Sequence, residues 1–287
     1  MVHTLKIKDL YTHFLSELDK IYPETEIKSF IYMVFDHIFG YSRLEVHENF
    51  KMEVPDEQYT KIKNIIYELK QYRPLQYILG ETEFKNCKIK VNESVLIPRP
   101  ETEELVDWIL NTKTCSEPNI LDIGTGSGCI AIALQKNLRG SAVSGSDISE
   151  KALEIAEINA SLNQVNVKFY LDNIFQPSRF FQANSFDLIV SNPPYVRDSE
   201  KKMMDLNVLN WEPPQALFAP DKDPLVFYNR ILPYSYTLLK NGGSLFIEIN
   251  ENFSEDIKSM LLSYRFTNLE VKKDISGKYR MARGQKS

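Results

Sequence analysis

The chain has 287 residues, 43% of them hydrophobic and 25% charged, enough to bury a sizeable core and a soft expectation of about two domains. With 34 basic residues against 39 acidic ones the net charge is −5, which weighs against a protein that wraps a nucleic-acid backbone, because such proteins carry a strongly basic domain. No stretch nears the ~20 apolar residues that span a bilayer, Met1–Lys6 lack the pattern of a secretory signal, and Cys87, Cys115 and Cys129 lack framework spacing, so free thiols in a reducing cytoplasm are expected.

Residues 1–73 read as a small helical bundle. Leu10, Phe14, Leu15, Leu18 and Ile21 recur at helical spacing, as do Ile31, Val34, Phe35 and Ile38 ahead of a stop at Gly40. A third helix opens at Pro55-Asp56-Glu57 with Ile62, Ile65, Ile66 and Leu69 inward. These stripes are core positions and carry no chemistry of their own. Arg73-Pro74 breaks the helix, and residues 74–98 read as a hairpin linker. Tyr77–Gly80, Glu83-Phe84 and Lys88–Val91 are its extended pieces, with a polar Lys85-Asn86 turn. Val95–Pro100 is extended and stiffened by two prolines, and Thr102 is a candidate cap for a helix from Glu103. Residues 99–287 form the larger, α/β part. Apolar runs at 120–123, 142–145, 167–171, 186–190 and 244–249 alternate with helical patterns at 128–138, 150–161 and 224–240. That rhythm implies βαβ units and a mostly parallel sheet. Leu269–Val271 and Tyr279–Ala282 should add a hairpin to one edge.

The run Phe186–Ser191 ends at Asn192-Pro193-Pro194-Tyr195. Two prolines cannot continue a central strand, so a rigid turn holds an amide and an aromatic ring at the strand's carboxyl end, where open α/β sheets bind ligands. An amide beside a flat ring suits a planar target carrying an NH2 group, either a side-chain amide or a base amine. Alone, the turn fits a buried strand ending equally well, and the segment upstream decides. Asp122-Ile123-Gly124-Thr125-Gly126-Ser127-Gly128 is a strand, a glycine turn and a helix start. Asp147 ends the next strand about 20 residues past the last glycine, where a carboxylate suits a ribose diol. The glycine spacing does not match a pyrophosphate site cleanly. Asp122 adds negative charge that suits a cationic ligand such as the sulfonium of S-adenosylmethionine. Asp172 and Asn173 follow the run 167–171, and Asp172 reads either as a partner for an adenine amine or as a plain strand end. Cys129 reads as a small buried helix residue. His3, His13, His37 and His47 all lie in the first fifth of the chain, which argues against Ser-His-Asp hydrolysis and against a zinc enzyme in the larger part.

These residues together resemble the peptide chain release factor glutamine methyltransferases of the HemK/PrmC type, over nearly the whole length. The resemblance rests on Arg73–Gly80, Leu96–Glu103, Asp122–Gly128, Ser191–Tyr195, Glu212–Leu217 and Lys273–Arg280. Asn-Pro-Pro-Tyr is shared with enzymes that methylate base amines, whereas the Ile97–Glu103 segment and the helical N-terminal part are more specific. The family usually follows the strand Phe246–Ile249 with a Gly and soon a Gln. Here Asn250-Glu251-Asn252-Phe253 stands instead, which puts that turn in doubt, outside the residues assigned to chemistry.

The resemblance implies a Rossmann-like class I methyltransferase domain that uses S-adenosylmethionine to methylate the Gln amide in the Gly-Gly-Gln loop of release factors, in the cytoplasm, with no membrane, metal or direct nucleic-acid partner. Asp122, Gly124–Gly128, Asp147, Asp172, Asn173 and Asn192 would hold the cofactor. Asn192 and the Pro193 carbonyl would accept the amide N–H groups, Tyr195 would pack on the amide plane, and Pro194 would line the same wall. Arg99 and Glu101 would wall the cofactor site or dock the substrate, or form a salt-bridged linker. Glu212-Pro213-Pro214 would open a loop beside the substrate channel. The helical part would either grip the protein substrate or stabilise the fold. Two other readings stay open: a methyltransferase of base amines, and a non-catalytic S-adenosylmethionine-binding module, against which the intact Asn192 and Tyr195 speak.

Overall fold

The computed structural model describes residues 5–112 and 115–287; His3 lies outside them. The chain divides into two compact units, one running to Gly80 and joined by Asp205–Trp211, the other made of Glu81–Met204 and Glu212–Ser287. The boundary thus falls at Gly80 rather than at residue 73.

In the first unit, α1 (Ile7–Leu18), α2 (Glu24–Phe39) and α4 (Asp56–Leu69) bury the stripes expected of them. Helix α2 stops at Gly40, which is left-handed with φ +70°. A short helix, α3 (Arg43–Glu48), was not visible as a periodic pattern. It is set by a capping box in which the Ser42 hydroxyl and amide pair with the amide and carboxylate of Glu45. The segment Tyr77–Gly80 is not extended. It belongs to α5 (Leu75–Leu79), which Pro74 opens and left-handed Gly80 closes. Proline's fixed φ is preset for a helix start, and Leu75 and Tyr77 are buried as a result. The returning segment joins this unit where the Trp211 indole donates to the Gln71 carbonyl at 3.2 Å and the Arg73 guanidinium lies 5.4 Å over the Trp211 ring.

The second unit begins with the hairpin of β1 (Glu81–Phe84) and β2 (Cys87–Lys90) around Lys85-Asn86. Helix α6 (Pro100–Leu110) follows. Thr102 is not its cap: Arg99 holds that position and Pro100 the first turn, so Thr102 lies within the first turn and is 2% exposed. Then come β3 (Asn119–Ile123), α7 (Cys129–Asn137), β4 (Ala142–Asp147), α8 (Glu150–Leu162), β5 (Val167–Leu171), β6 (Phe186–Ser191), α9 (Tyr228–Leu238), β7 (Leu239–Glu248), α10 (Ser254–Ser263), β8 (Phe266–Lys273) and β9 (Tyr279–Lys286). Among the described residues the central sheet has seven strands in the order β8-β9-β7-β6-β3-β4-β5. Pairing is parallel from β7 through β5, and β9 runs antiparallel to both of its neighbours, so the C-terminal hairpin does extend one edge. Helix α9, with Tyr228, Ile231 and Leu232, covers Leu121, Ile189 and Leu245 on one face of the sheet. The sheet order reverses between β3 and β6, which opens a crevice at their carboxyl ends.

Candidate active site

The register decides what faces that crevice. Ile123 of β3 pairs with Ser191 of β6, and Ser191 with Ile247 of β7. The Ser191 hydroxyl locks the first pair by donating to the Ile123 carbonyl at 2.7 Å. The next residues in each strand, Gly124, Asn192 and Glu248, therefore stand in one row at the mouth of the sheet. A cavity opens there, lined by Gly124, Thr125, Gly126, Ser127, Asp147, Asp172, Asn173, Asn192, Pro193 and Pro194, and also by Arg99, Thr102 and Gln215. Asp122, Gly128, Glu101 and Tyr195 do not line it, so four residues expected at the ligand lie behind or beside it.

Asp122 is fully buried beneath the glycine loop, because β3 is covered on both faces. Its Oδ2 accepts from the Thr125 hydroxyl at 2.6 Å. Burial, with the nearby Asp147 adding to it, pushes the carboxyl from 3.8 up to about 7. It pins the loop and offers no charged face to a ligand. Gly128 caps α7 at φ +80°, and a Cβ there would meet the Ala156 Cβ at 3.0 Å; it serves helix packing. Gly126 is also left-handed, at φ +55°, but a Cβ there would meet nothing within 4 Å and would stand in open space. Cys129 is buried, with its thiol pushed up to about 12 by burial, which leaves it inert.

The loop's own N–H groups bear on which ligand fits. Gly124 and Thr125 donate to the Ser146 carbonyl at 2.8 and 2.9 Å, Gly126 to Asp147 at 2.8 Å, and Gly128 to the Thr125 carbonyl at 2.8 Å. A phosphate cradle needs such donors free. Four of the five are spent here, so the loop presents close backbone surface rather than an anion nest. Asp147 accepts from Gly126 and Ser149, one N–H on each oxygen, which leaves lone pairs for hydroxyl donors. Burial raises its pKa. Asp172 uses Oδ1 to hold the amides of Asn173 and Ser178, and its Oδ2 has no hydrogen bond among the described residues. This donor and acceptor set fits an uncharged nucleoside better than a pyrophosphate, and with Asp122 buried it offers no argument for a cationic tail.

The Asn192 side chain donates from Nδ2 to the Thr102 hydroxyl at 3.2 Å. Thr102 donates to Glu248 Oε2 at 2.8 Å, and the Tyr195 hydroxyl donates to Glu248 Oε1 at 2.8 Å. Burial pushes the Glu248 carboxyl up, against these hydrogen bonds and the charge of Arg280. The Arg280 guanidinium lies 5.6 Å over the Tyr195 ring and is held by Asp274. Asn250 donates from Nδ2 to the Tyr195 carbonyl at 3.1 Å and to Glu200 at 3.2 Å, and its Oδ1 caps the short turn at Glu251–Phe253. The departure after Ile249 is therefore not remote from the site: it braces the Asn-Pro-Pro-Tyr turn. Thr102, Glu248, Asn250 and Arg280 were not anticipated there. The Arg99 guanidinium is committed to buried Glu212 at 2.5 Å, whose other oxygen accepts from the Ile97 amide at 3.2 Å. That pair anchors the segment whose Gln215 and Ala216 line the cavity. Among the described residues no group of His, Cys, Asp and Glu is arranged to hold a metal ion, and no helix is long and apolar enough to cross a membrane.

The sheet order, the glycine loop and the Asn-Pro-Pro-Tyr turn at the switch point define a class I methyltransferase. Family models agree: one described as methyltransferase small domain matches residues 102–217, and one described as PrmC N-terminal domain matches residues 9–80. A methyltransferase from Pyrococcus furiosus has the same fold, with a TM-score of 0.53 over 81% of this chain and 100% of that one at 18% identity. A release factor glutamine methyltransferase of Flavobacterium psychrophilum is 45% identical over 96% of this chain and 97% of its own length. One from Bacteroides thetaiotaomicron is 42% identical over 92% and 94%. The chain belongs to the release factor glutamine methyltransferase family.

Two predictions follow from the loop. Gly126→Val should abolish measurable cofactor binding in calorimetry while the protein stays folded, at a stability lowered by left-handed strain at φ +55°, and Gly128→Ala should lower stability by about 1–3 kcal/mol through overpacking added to the same kind of strain. The raised pKa of Asp122 means that the folded state holds a proton the unfolded chain releases. Its contribution is full below pH 3.8 and is lost as pH rises to about 7. Asp122→Asn removes this loss, so its denaturation midpoint relative to wild type should rise across that window, and parallel pH curves would refute the assignment.

Proposed function

We propose that this protein transfers a methyl group to the side-chain amide nitrogen of the Gln in the Gly-Gly-Gln loop of peptide chain release factors, in the cytoplasm. Membership of the family and the fold imply use of S-adenosylmethionine. When bound, it supplies an electrophilic methyl group. Asp147 and the Gly124–Ser127 backbone would hold its nucleoside, with Asp172 and Asn173 beside the base. The release factors themselves, and the helical unit as an aid in holding them, belong to this proposal.

The observation that carries the reading is a pair of acceptors at the crevice. Among the described residues no donor bonds Asn192 Oδ1 or the Pro193 carbonyl, and both residues line the cavity. Two acceptors match the two N–H groups of a primary amide. Such a nitrogen is a weak nucleophile because its lone pair is delocalised. No strong base stands ready: no His lines the cavity, the Tyr195 hydroxyl is spent on Glu248, and the Cys129 thiol is held neutral. Placement does the work instead. The two acceptors aim the nitrogen, bring the reacting atoms to ~3–3.5 Å, and tolerate the positive charge that develops on the nitrogen. The proton then leaves to water. Tyr195 acts as a wall of the turn, anchored by Glu248, Asn250 and Arg280.

The test is incubation with radiolabelled S-adenosylmethionine and separate pools of release factor, ribosomal RNA and DNA. Label should enter the release factor alone, and a release factor whose Gly-Gly-Gln glutamine is Ala should stay unlabelled. Label in RNA or DNA, or equal labelling of the Ala variant, would overturn the reading.

A further inference from the structure

The polarity of the Asn192 amide is dictated from behind. Arg280 has only N–H donors, and one of them faces the Tyr195 hydroxyl oxygen at 3.5 Å. The single Tyr195 hydroxyl hydrogen therefore goes to Glu248 Oε1 at 2.8 Å. From the other side the single Thr102 hydrogen goes to Glu248 Oε2 at 2.8 Å. Glu248 is 1% exposed and Thr102 2% exposed, so no water competes for these positions. With its hydrogen spent, the Thr102 oxygen can only accept, and the Asn192 group that meets it at 3.2 Å has to be the NH2. The amide oxygen is left to face the cavity.

Resting on the methyl acceptor proposed above, we infer that Thr102 and Glu248 are positioning residues for the reaction: the buried Glu248 acts as a hydrogen-bond sink that, through the Thr102 hydroxyl, holds Asn192 with its acceptor toward the target. This arrangement also makes the site selective for a group that donates N–H and hostile to a carboxylate in the same place. A carboxylate would set its oxygens against Asn192 Oδ1 and the Pro193 carbonyl. An amide at position 248 breaks the logic. A Gln side chain has one acceptor and one donor end, so it cannot receive both hydroxyl hydrogens. One hydroxyl has to turn, and Asn192 is then free to flip.

Thr102→Val, Thr102→Ser and Glu248→Gln test this together. Thr102→Val keeps the shape and removes the hydroxyl, and kcat for methyl transfer to the release factor should fall about 10- to 10²-fold, the usual cost of a misaimed reacting group. KM for the release factor and the affinity for S-adenosylmethionine should move far less. Thr102→Ser should restore most of kcat. Glu248→Gln should lower kcat likewise, and a release factor carrying Glu in place of the target Gln should inhibit this variant several-fold more strongly than it inhibits wild type. Melting temperatures identify a variant that fails to fold, in which case the remaining variants carry the test. Wild-type kcat in Thr102→Val or in Glu248→Gln, a Thr102→Ser protein as slow as Thr102→Val, or unchanged inhibition by the Glu-bearing release factor would overturn the inference. If wild type itself leaves the release factor unlabelled, the acceptor assignment fails instead.

Discussion

Three parallel strands end in step, and the site follows from that. Ile123, Ser191 and Ile247 pair across β3, β6 and β7, and the Ser191 hydroxyl ties the first two ends together. Side chains alternate along a strand, so a slip of one residue would turn each strand's carboxyl end to the other face. In the observed register the glycine loop, the Asn-Pro-Pro-Tyr turn and Glu248 leave the sheet side by side. On the proposed reading one element would hold the methyl donor's side of the crevice, the next would present acceptors to the target, and the third would fix how those acceptors point.

The division of labour among the carboxylates is equally physical. Asp147 stands at the cavity with lone pairs to spare. Asp122, one strand away, is buried and works inward on Thr125. Glu248 is buried too, and collects hydrogens from Tyr195 and Thr102. Removing one partner from such a buried pair costs about 1–3 kcal/mol because the other is left unsatisfied. On the proposed mechanism that cost would keep the Asn192 amide in one orientation and let a site without a strong base work by alignment.

Local chemistry was legible in the chain. The alternating apolar runs match the parallel sheet, the glycine turn and Asp147 do line one cavity, and the two prolines after Asn192 do mark a strand end beside it. What local pattern hides is the direction of a side chain whose partner is distant. Asp122 looks like a ligand-facing acid beside a glycine loop, yet both faces of its strand are covered. Thr102 looks like a helix cap, yet Pro100 starts the helix earlier and Thr102 meets Glu248, 146 residues away. Tyr195 looks like a platform for the target, yet its hydroxyl and carbonyl are held by Glu248 and Asn250, more than 50 residues on. The segment Tyr77–Gly80 looks extended because it is short and apolar, a pattern that one helical turn shares.

The central claim is that the crevice accelerates transfer by aiming the target nitrogen at the methyl group through the Asn192 oxygen. Single-turnover methyl transfer to a release factor by Asn192→Ala, with the cofactor dissociation constant measured on the same protein, tests it most directly. The account predicts a rate constant ~10²–10³ lower than wild type, with cofactor affinity nearly unchanged. A wild-type rate constant, or a rate loss matched by an equal loss of cofactor affinity, would contradict it.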